Sequence, residues 1–345
     1  MTADHKRNFF IAGLPPLCPP HPPCIHPPSL QSFDDEDLEL IHTDQVSGLV
    51  ASHDGTCCIS ASFDMSLIVW DLAEGVKRWV LEGHTKSVYC VAISHDDKTA
   101  ASGSEDSSVR LWCLRTGTCL RVIQGAVSNG IVFCLAFSPD DTSLTVGGDH
   151  GQLKQWSVIE GAPTQTFTDG DSWERMNSRV SCVVYKSPSM LVSGSAKLNV
   201  WDVDRGTHEY SISDNEQDFG DVTGLSVSAD GSVLVSICEC GIIVRQDDSY
   251  VKGFPVRHDD IRIRRFTQRG DGRISVSPGH DLAVSSFGGN AMVVWDPKTG
   301  TNLAQMVPKS SWYAFGITAI TVSPDCRTII CGYFYGRVTV WRFVK

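Results

Sequence analysis

The chain has 345 residues, of which 41% are hydrophobic, 20% charged and 9% aromatic, with 30 glycines and 16 prolines. That is about twice a usual domain of ~100–200 residues, and the balance excludes a collagen-like or wholly disordered chain. The net charge of −11, from 29 basic against 40 acidic residues, repels a phosphate backbone and makes nucleic acid a poor partner.

No run approaches the ~18 apolar residues of a spanning helix, so no membrane segment is expected. The short apolar stretch Phe9 to Leu14 follows Lys6 and Arg7 and runs into prolines without an Ala-x-Ala-like cleavage site. This argues against a secretory signal and for the cytoplasm, with the nucleus also open. Thirteen cysteines is an odd number, and Cys57, Cys58, Cys90, Cys134, Cys182 and Cys331 sit in apolar runs, where a thiol acts as a small hydrophobe. Reduced thiols are expected rather than a disulfide framework.

Residues 1–33 are Pro-rich. Cys18, His21, Cys24 and His26 are of zinc-ligand type, but the interleaved prolines favour an extended polyproline conformation. The stretch reads as a disordered tail open to an SH3- or WW-type module. No metal and no cofactor is assigned.

From residue 34 the chain repeats. Apolar alternations end at Trp70, Trp112, Trp156, Trp201, Trp295 and Trp341, with gaps of 42, 44, 45, 94 and 46 residues. The double gap holds one further unit, in which Gly241 to Arg245 runs into Gln246-Asp247, giving seven. Within a unit, Val88–Ile93, Thr99–Gly103 and Ser108–Trp112 read as strands, and a fourth follows each Trp after a Gly-containing turn, as in Arg78–Leu81 or Thr118–Ile123. Four alternating strands per ~44 residues make one propeller blade.

Two units share a further pattern. His42, Ser60, Asp64 and Trp70 have the same spacing as His84, Ser102, Asp106 and Trp112, at offsets of 18, 22 and 28 residues from each histidine. With Gly83-His84 and the Trp-ended strands, the sequence over residues 34–345 resembles the WD40 repeat family. The resemblance implies a structural tetrad in which His, Ser, Asp and Trp form one buried hydrogen-bonded chain. The indole is a donor only and needs an acceptor when buried. A Ser-His-Asp hydrolase reading is set aside, because the set recurs with a Trp at fixed spacing and without a nucleophile elbow.

The expected fold is therefore all-β, a seven-bladed propeller of four-stranded antiparallel blades. The last repeat stops just past its third strand. Asp37–His42 aligns with Trp79–His84, so the resemblance implies that this N-terminal strand completes the last blade and closes the ring, removing exposed edges.

Later repeats are worn. Val146 stands in the Ser place of blade three, with Asp149 and His150 at the Asp place. Blade four has a short turn, Ser195-Ala196-Lys197. Blade five is read with Gln246 for Trp and Cys240 for Asp, and blades six and seven with Gly289 and Tyr335 for Asp. Counting back from Trp295 makes Ile261–Phe266 an outer strand and 247–260 a long loop, with Arg262, Arg264, Arg265 and Arg269 on or near an edge, where charge blocks strand pairing.

Three loops between blades are enlarged. Thr168–Ser178 carries Trp173, Glu174 and Arg175; Ser213–Asp221 is acidic; Val307–Gly316 carries Trp312, Tyr313 and Phe315. Trp, Tyr and Arg dominate interface hot spots, so Trp173, Arg175, Trp312, Tyr313 and Phe315 are candidate partner-binding residues, against the plainer role of plugging the channel.

No Walker loop, dinucleotide Gly pattern or His-Glu-x-x-His motif is present. The expectation is a non-catalytic scaffold that presents its propeller face to partner proteins or peptides, as a monomeric ring within a larger complex. Trp112-Cys113-Leu114-Arg115 and Trp295-Asp296-Pro297-Lys298 incompletely match the Trp-Asp-x-Arg ending of cullin–RING ubiquitin ligase substrate receptors. That role is one alternative, and a regulatory propeller of a larger signalling protein is another.

Overall fold

The computed structural model describes residues 30–32, 42–128, 130–167, 179–212, 221–228, 230–238, 241–246, 249–255, 273–277, 282–286, 292–297, 301–306 and 316–343. Their 28 strands form seven four-stranded antiparallel sheets, and six of these sheets keep chain order. Blade one comprises Val46–Ala51, Cys57–Ser62, Leu67–Asp71 and Lys77–Leu81. Blade two comprises Val88–Ile93, Thr99–Ser104, Val109–Cys113 and Cys119–Ile123, within a residue or so of the strands the alternation predicts.

Local chemistry sets the hairpins. In blade two the Ser94 hydroxyl donates to Asp96 Oδ1 (2.7 Å), while the Lys98 and Thr99 N–H groups donate to Asp96 and to Ser94 Oγ (both 3.0 Å). These side-chain bonds mimic a backbone turn. The same Ser-x-Asp device recurs at Ser52/Asp54, Ser138/Asp140, Ser228/Asp230 and Ser323/Asp325.

The first strands of neighbouring blades touch one another around the axis. Each of seven hydrophobic clusters draws on two adjacent blades, including blades seven and one, so the core is a closed ring of interfaces. Three interfaces share one construction. Cys90 points its thiol at the Val132 carbonyl (3.5 Å), Cys134 at Val180 (3.3 Å) and Cys182 at Val222 (3.8 Å). Opposite them stand Gly103, Gly147 and Gly194, where any Cβ would collide with both the thiol and the valine of the next blade. Cys90, Cys134 and Cys182 are thus spacers between blades, and the ten described cysteines are all free thiols.

The outer strands also reach forward. Trp79 Nε1–H donates to the Leu114 carbonyl (3.2 Å) of blade two, with its ring where a Cβ on Gly117 would lie. Arg121 donates to the Ile159 and Glu160 carbonyls (2.6 and 3.0 Å) of blade three, and Gln165 to the Arg205 carbonyl (3.0 Å) of blade four. Trp79, Arg121 and Gln165 hold the same register position, opposite Val69, Leu111 and Gln155.

The structure corrects the sequence reading in three places. The rung that completes blade seven is Leu30–Ser32, paired antiparallel with Phe343, Arg342 and Trp341, and not Asp37–His42. The neutral Leu-Gln-Ser segment suits a strand better than one carrying Asp37 and Glu39, types depleted in sheets. Of the expected segment only His42 is described; its N–H donates to the Gly336 carbonyl (3.1 Å) of blade seven.

In blade five the outer strand is Ser249–Pro255, paired with Gly241–Gln246, rather than Ile261–Phe266. The four arginines expected at that edge lie outside the described residues. The residue in the Trp place of this blade is Arg245 and not Gln246. Arg245 pairs opposite Leu234 as Trp112 pairs opposite Ala100. Its guanidinium is buried, and Nη1–H donates to Ser236 Oγ (3.1 Å), the acceptor that an indole meets elsewhere.

Candidate functional site

The second-to-third-strand hairpins open on the face where the first strands begin. Blades one and two order this face with hydrogen-bonded chains. Trp112 Nε1–H donates to Ser102 Oγ (2.8 Å), Ser102 Oγ meets His84 Nε2 (2.7 Å), and His84 Nδ1 meets Asp106 Oδ2 (2.9 Å). Trp70, Ser60, His42 and Asp64 repeat this at 2.9, 2.8 and 2.8 Å. The carboxylate can only accept, so Nδ1 carries the proton and the serine hydroxyl donates to Nε2. Each chain is continuous and satisfied.

Burial pushes the Asp106 carboxyl up, but donation from the Ser108 hydroxyl, the Thr85 N–H and His84 outweighs it and holds the pKa down to about 2. Burial likewise raises Asp64, and His42, Ser66 and the Thr43 N–H bring it well below the carboxylate range. Burial lowers the His84 pKa against the pull of Asp106, which favours neutral imidazole. With both ring nitrogens engaged and the indole fixed, these serines and histidines are structural.

In the worn blades the indole keeps the serine acceptor in some and loses it in others. Trp201 and Trp295 donate to Ser193 and Ser285 (2.8 and 3.2 Å). In blade seven Cys331 occupies the serine place, and Trp341 donates instead to Thr339 Oγ1 (3.0 Å) on its own strand. In blade three Val146 offers nothing, and the buried Trp156 N–H has no acceptor among the described residues.

At the start of the first strands a β-bulge follows Val46, Val88, Val132, Val222 and Ile317. Bulges re-aim a side chain, and here the residue is Ser47, Tyr89, Phe133, Thr223 or Thr318. Ser47 and Thr318 tie their hydroxyls to the Val88 and Val46 carbonyls of the next blade (both 2.6 Å). Blades two and three carry aromatics instead.

Phe63, from the hairpin of blade one, lies 4.9 Å from the Tyr89 ring, Tyr89 meets Phe133 edge-on at 5.5 Å, and the Arg179 guanidinium sits 5.3 Å over Phe133. This ladder crosses blades one to four. Its rings are half-buried and Arg179 is exposed. Such aromatic contacts contribute about 0.5–1.5 kcal/mol each, so the ladder is held in shape before any partner arrives. Burial raises the Tyr89 pKa, and the nearby carboxylates of Glu105 and Asp149 add to the effect.

The enlarged-loop candidates Trp173, Arg175, Trp312, Tyr313 and Phe315 lie outside the described residues, so their place relative to the ladder is not stated. Sequence reading missed Phe63, Tyr89, Phe133 and Arg179. The available signal was positional: Tyr89 and Phe133 occupy, one period apart, the site that is Ser47 or Thr318 elsewhere. Among the described residues no group of three or more His, Cys, Asp or Glu is arranged to hold a metal ion.

Residues 39–71, 75–113 and 117–157 match the family model of the WD domain, G-beta repeat. No curated protein sequence matches the chain significantly. The three matched segments run through blades one to three, and four more blades share their four-stranded plan, so the chain carries three WD40 repeats within a seven-bladed propeller.

Proposed function

We propose that the protein is a non-catalytic interaction scaffold whose Phe63–Tyr89–Phe133–Arg179 ladder receives a peptide or protein segment. The observation that carries this reading is the ladder itself, a rigid, half-exposed aromatic strip on a face ordered by buried tetrads. Aromatic and Arg side chains anchor interfaces, and a surface already in its bound shape loses little entropy on association. Cytoplasmic or nuclear residence and membership of a larger complex belong to the same proposal, supported by the free thiols of the described cysteines.

The test places a photo-crosslinking amino acid at Phe63 in the full chain, in cells, and maps the attached peptides by mass spectrometry. Crosslinks to a defined partner segment that disappear with Tyr89→Ala/Phe133→Ala are expected. A folded double variant that keeps the same crosslinks would remove the ladder from the interface.

A further inference from the structure

The opposite face, where first-to-second-strand turns emerge, carries two histidines side by side. His53 of blade one points Nδ1 at Asp97 Oδ1 of blade two (3.0 Å), and the His53 and Asp54 N–H groups donate to the same carboxylate (both 2.8 Å). One blade on, His95 points Nδ1 at Asp141 Oδ1 of blade three (2.9 Å), and the His95 and Asp96 N–H groups donate to that carboxylate (2.8 and 3.0 Å). Each carboxylate accepts three bonds from the preceding blade and has no proton to give. Nδ1 of each ring must therefore carry the hydrogen, and in the neutral imidazole it is Nε2 that has the lone pair.

The two rings stack at 5.1 Å between centroids with 28° between planes, and their side chains are 42% and 46% exposed. In the corresponding turns of blades three, five and seven the residue is Pro139, Ala229 or Pro324.

We propose that His53 and His95 form a surface site for a divalent transition-metal ion of the zinc class, with the two Nε2 atoms as protein ligands and water in the remaining positions. An imidazole that donates Nδ1–H to a carboxylate is oriented and made more basic at Nε2, the arrangement found behind metal-bound histidines. Neutral imidazole suits zinc, copper and nickel and does not suit magnesium or calcium. The rings are inclined by 28° and exposed, and the site requires both side chains to turn so that their Nε2 lone pairs converge on one ion while the Asp97 and Asp141 anchors hold. The ion would span blades one and two, which the Asp97 carboxylate already links.

The test titrates Zn2+ alone into the full chain by calorimetry, comparing wild type with His53→Asn/His95→Asn. Asparagine keeps an N–H donor for each carboxylate but offers no imidazole lone pair. The double variant is expected to bind one fewer equivalent of Zn2+, and each single variant to weaken that class more than about tenfold. A Cys18→Ser/Cys24→Ser variant, which removes thiols of the Pro-rich segment, should retain the class. If instead the class follows the Cys18 and Cys24 changes and ignores the histidines, the proposal is overturned.

A second measurement needs no variant. Zn2+ should protect both His53 and His95 from diethylpyrocarbonate in the wild-type chain, read by peptide mass spectrometry. Protection of neither, or of one alone, refutes a shared site.

Discussion

Replacing Gly147 by alanine probes the spacing between blades three and four. A Cβ there would land on Cys134 Sγ and lie 2.8 Å from Val180 Cγ1 and 3.1 Å from Val180 Cβ. The backbone on both sides is paired strand, so the crowding has no loop into which to relax. Overpacking of this kind costs about 1–3 kcal/mol, against about 0.4–1 kcal/mol returned by restricting the unfolded chain. Gly147→Ala should therefore lose about 1–2 kcal/mol net, read as a lower urea midpoint at unchanged slope.

Cys134→Ala vacates the volume the new methyl needs, so in Gly147→Ala/Cys134→Ala the two effects should fail to add. The double variant should recover by about 0.5–2 kcal/mol relative to the sum, the range for touching residues. If Gly147→Ala is as stable as wild type, or if the two changes simply add, the thiol does not set the blade spacing.

Other consequences are equally direct. Ser102→Ala leaves the Trp112 indole and the His84 ring without their shared hydroxyl and should cost about 2–4 kcal/mol by chemical denaturation; a loss below about 0.5 kcal/mol would mean the chain is not coupled. The tetrads also shape acid stability. Because the folded His84 pKa lies below its ordinary 6.5, the unfolded state takes up the proton first, and stability falls as pH drops below that value. Asp106 adds a second loss between about 3.8 and 2, because the unfolded carboxyl protonates before the folded one, and Asp106→Asn should shrink this limb of a midpoint-versus-pH profile, with the lowered Asp64 and Asp96 carboxyls supplying the remainder. Thiol labelling should divide the cysteines. Exposed Cys119 should react in the native protein, as should Cys113, whose pKa is lowered by bonding from Thr116 and by Arg115. Cys58, Cys90, Cys134 and Cys331, pushed up by burial, should react only on unfolding, as counted by intact-mass spectrometry.

The blades and the two complete tetrads were legible because their information is local. Alternation gives the strands, and fixed spacing brings His84, Ser102, Asp106 and Trp112 together once those strands pair. Blade five was misread because Arg245 hides in an indole place, and an arginine next to Gln246-Asp247 gives no apolar signal. The closing rung was misplaced because three residues, Leu30–Ser32, carry no periodicity of their own. The ladder and the Gly–Cys–Val spacers depend on which side chains meet across blades, and no single repeat records that. His53 and His95 look like turn residues until the ring sets them against each other.

The forward-reaching outer strands make the order of the repeats a matter of fit. An indole from blade one rests on the turn at Gly117, a guanidinium from blade two grips the turn at Gly161, and an amide from blade three fills the turn at Gly206. Shuffling the repeats would preserve every blade's internal pairing yet set each of these hands against a neighbour shaped for another. These units are thus not interchangeable parts; each of the first three bears a key cut for its successor.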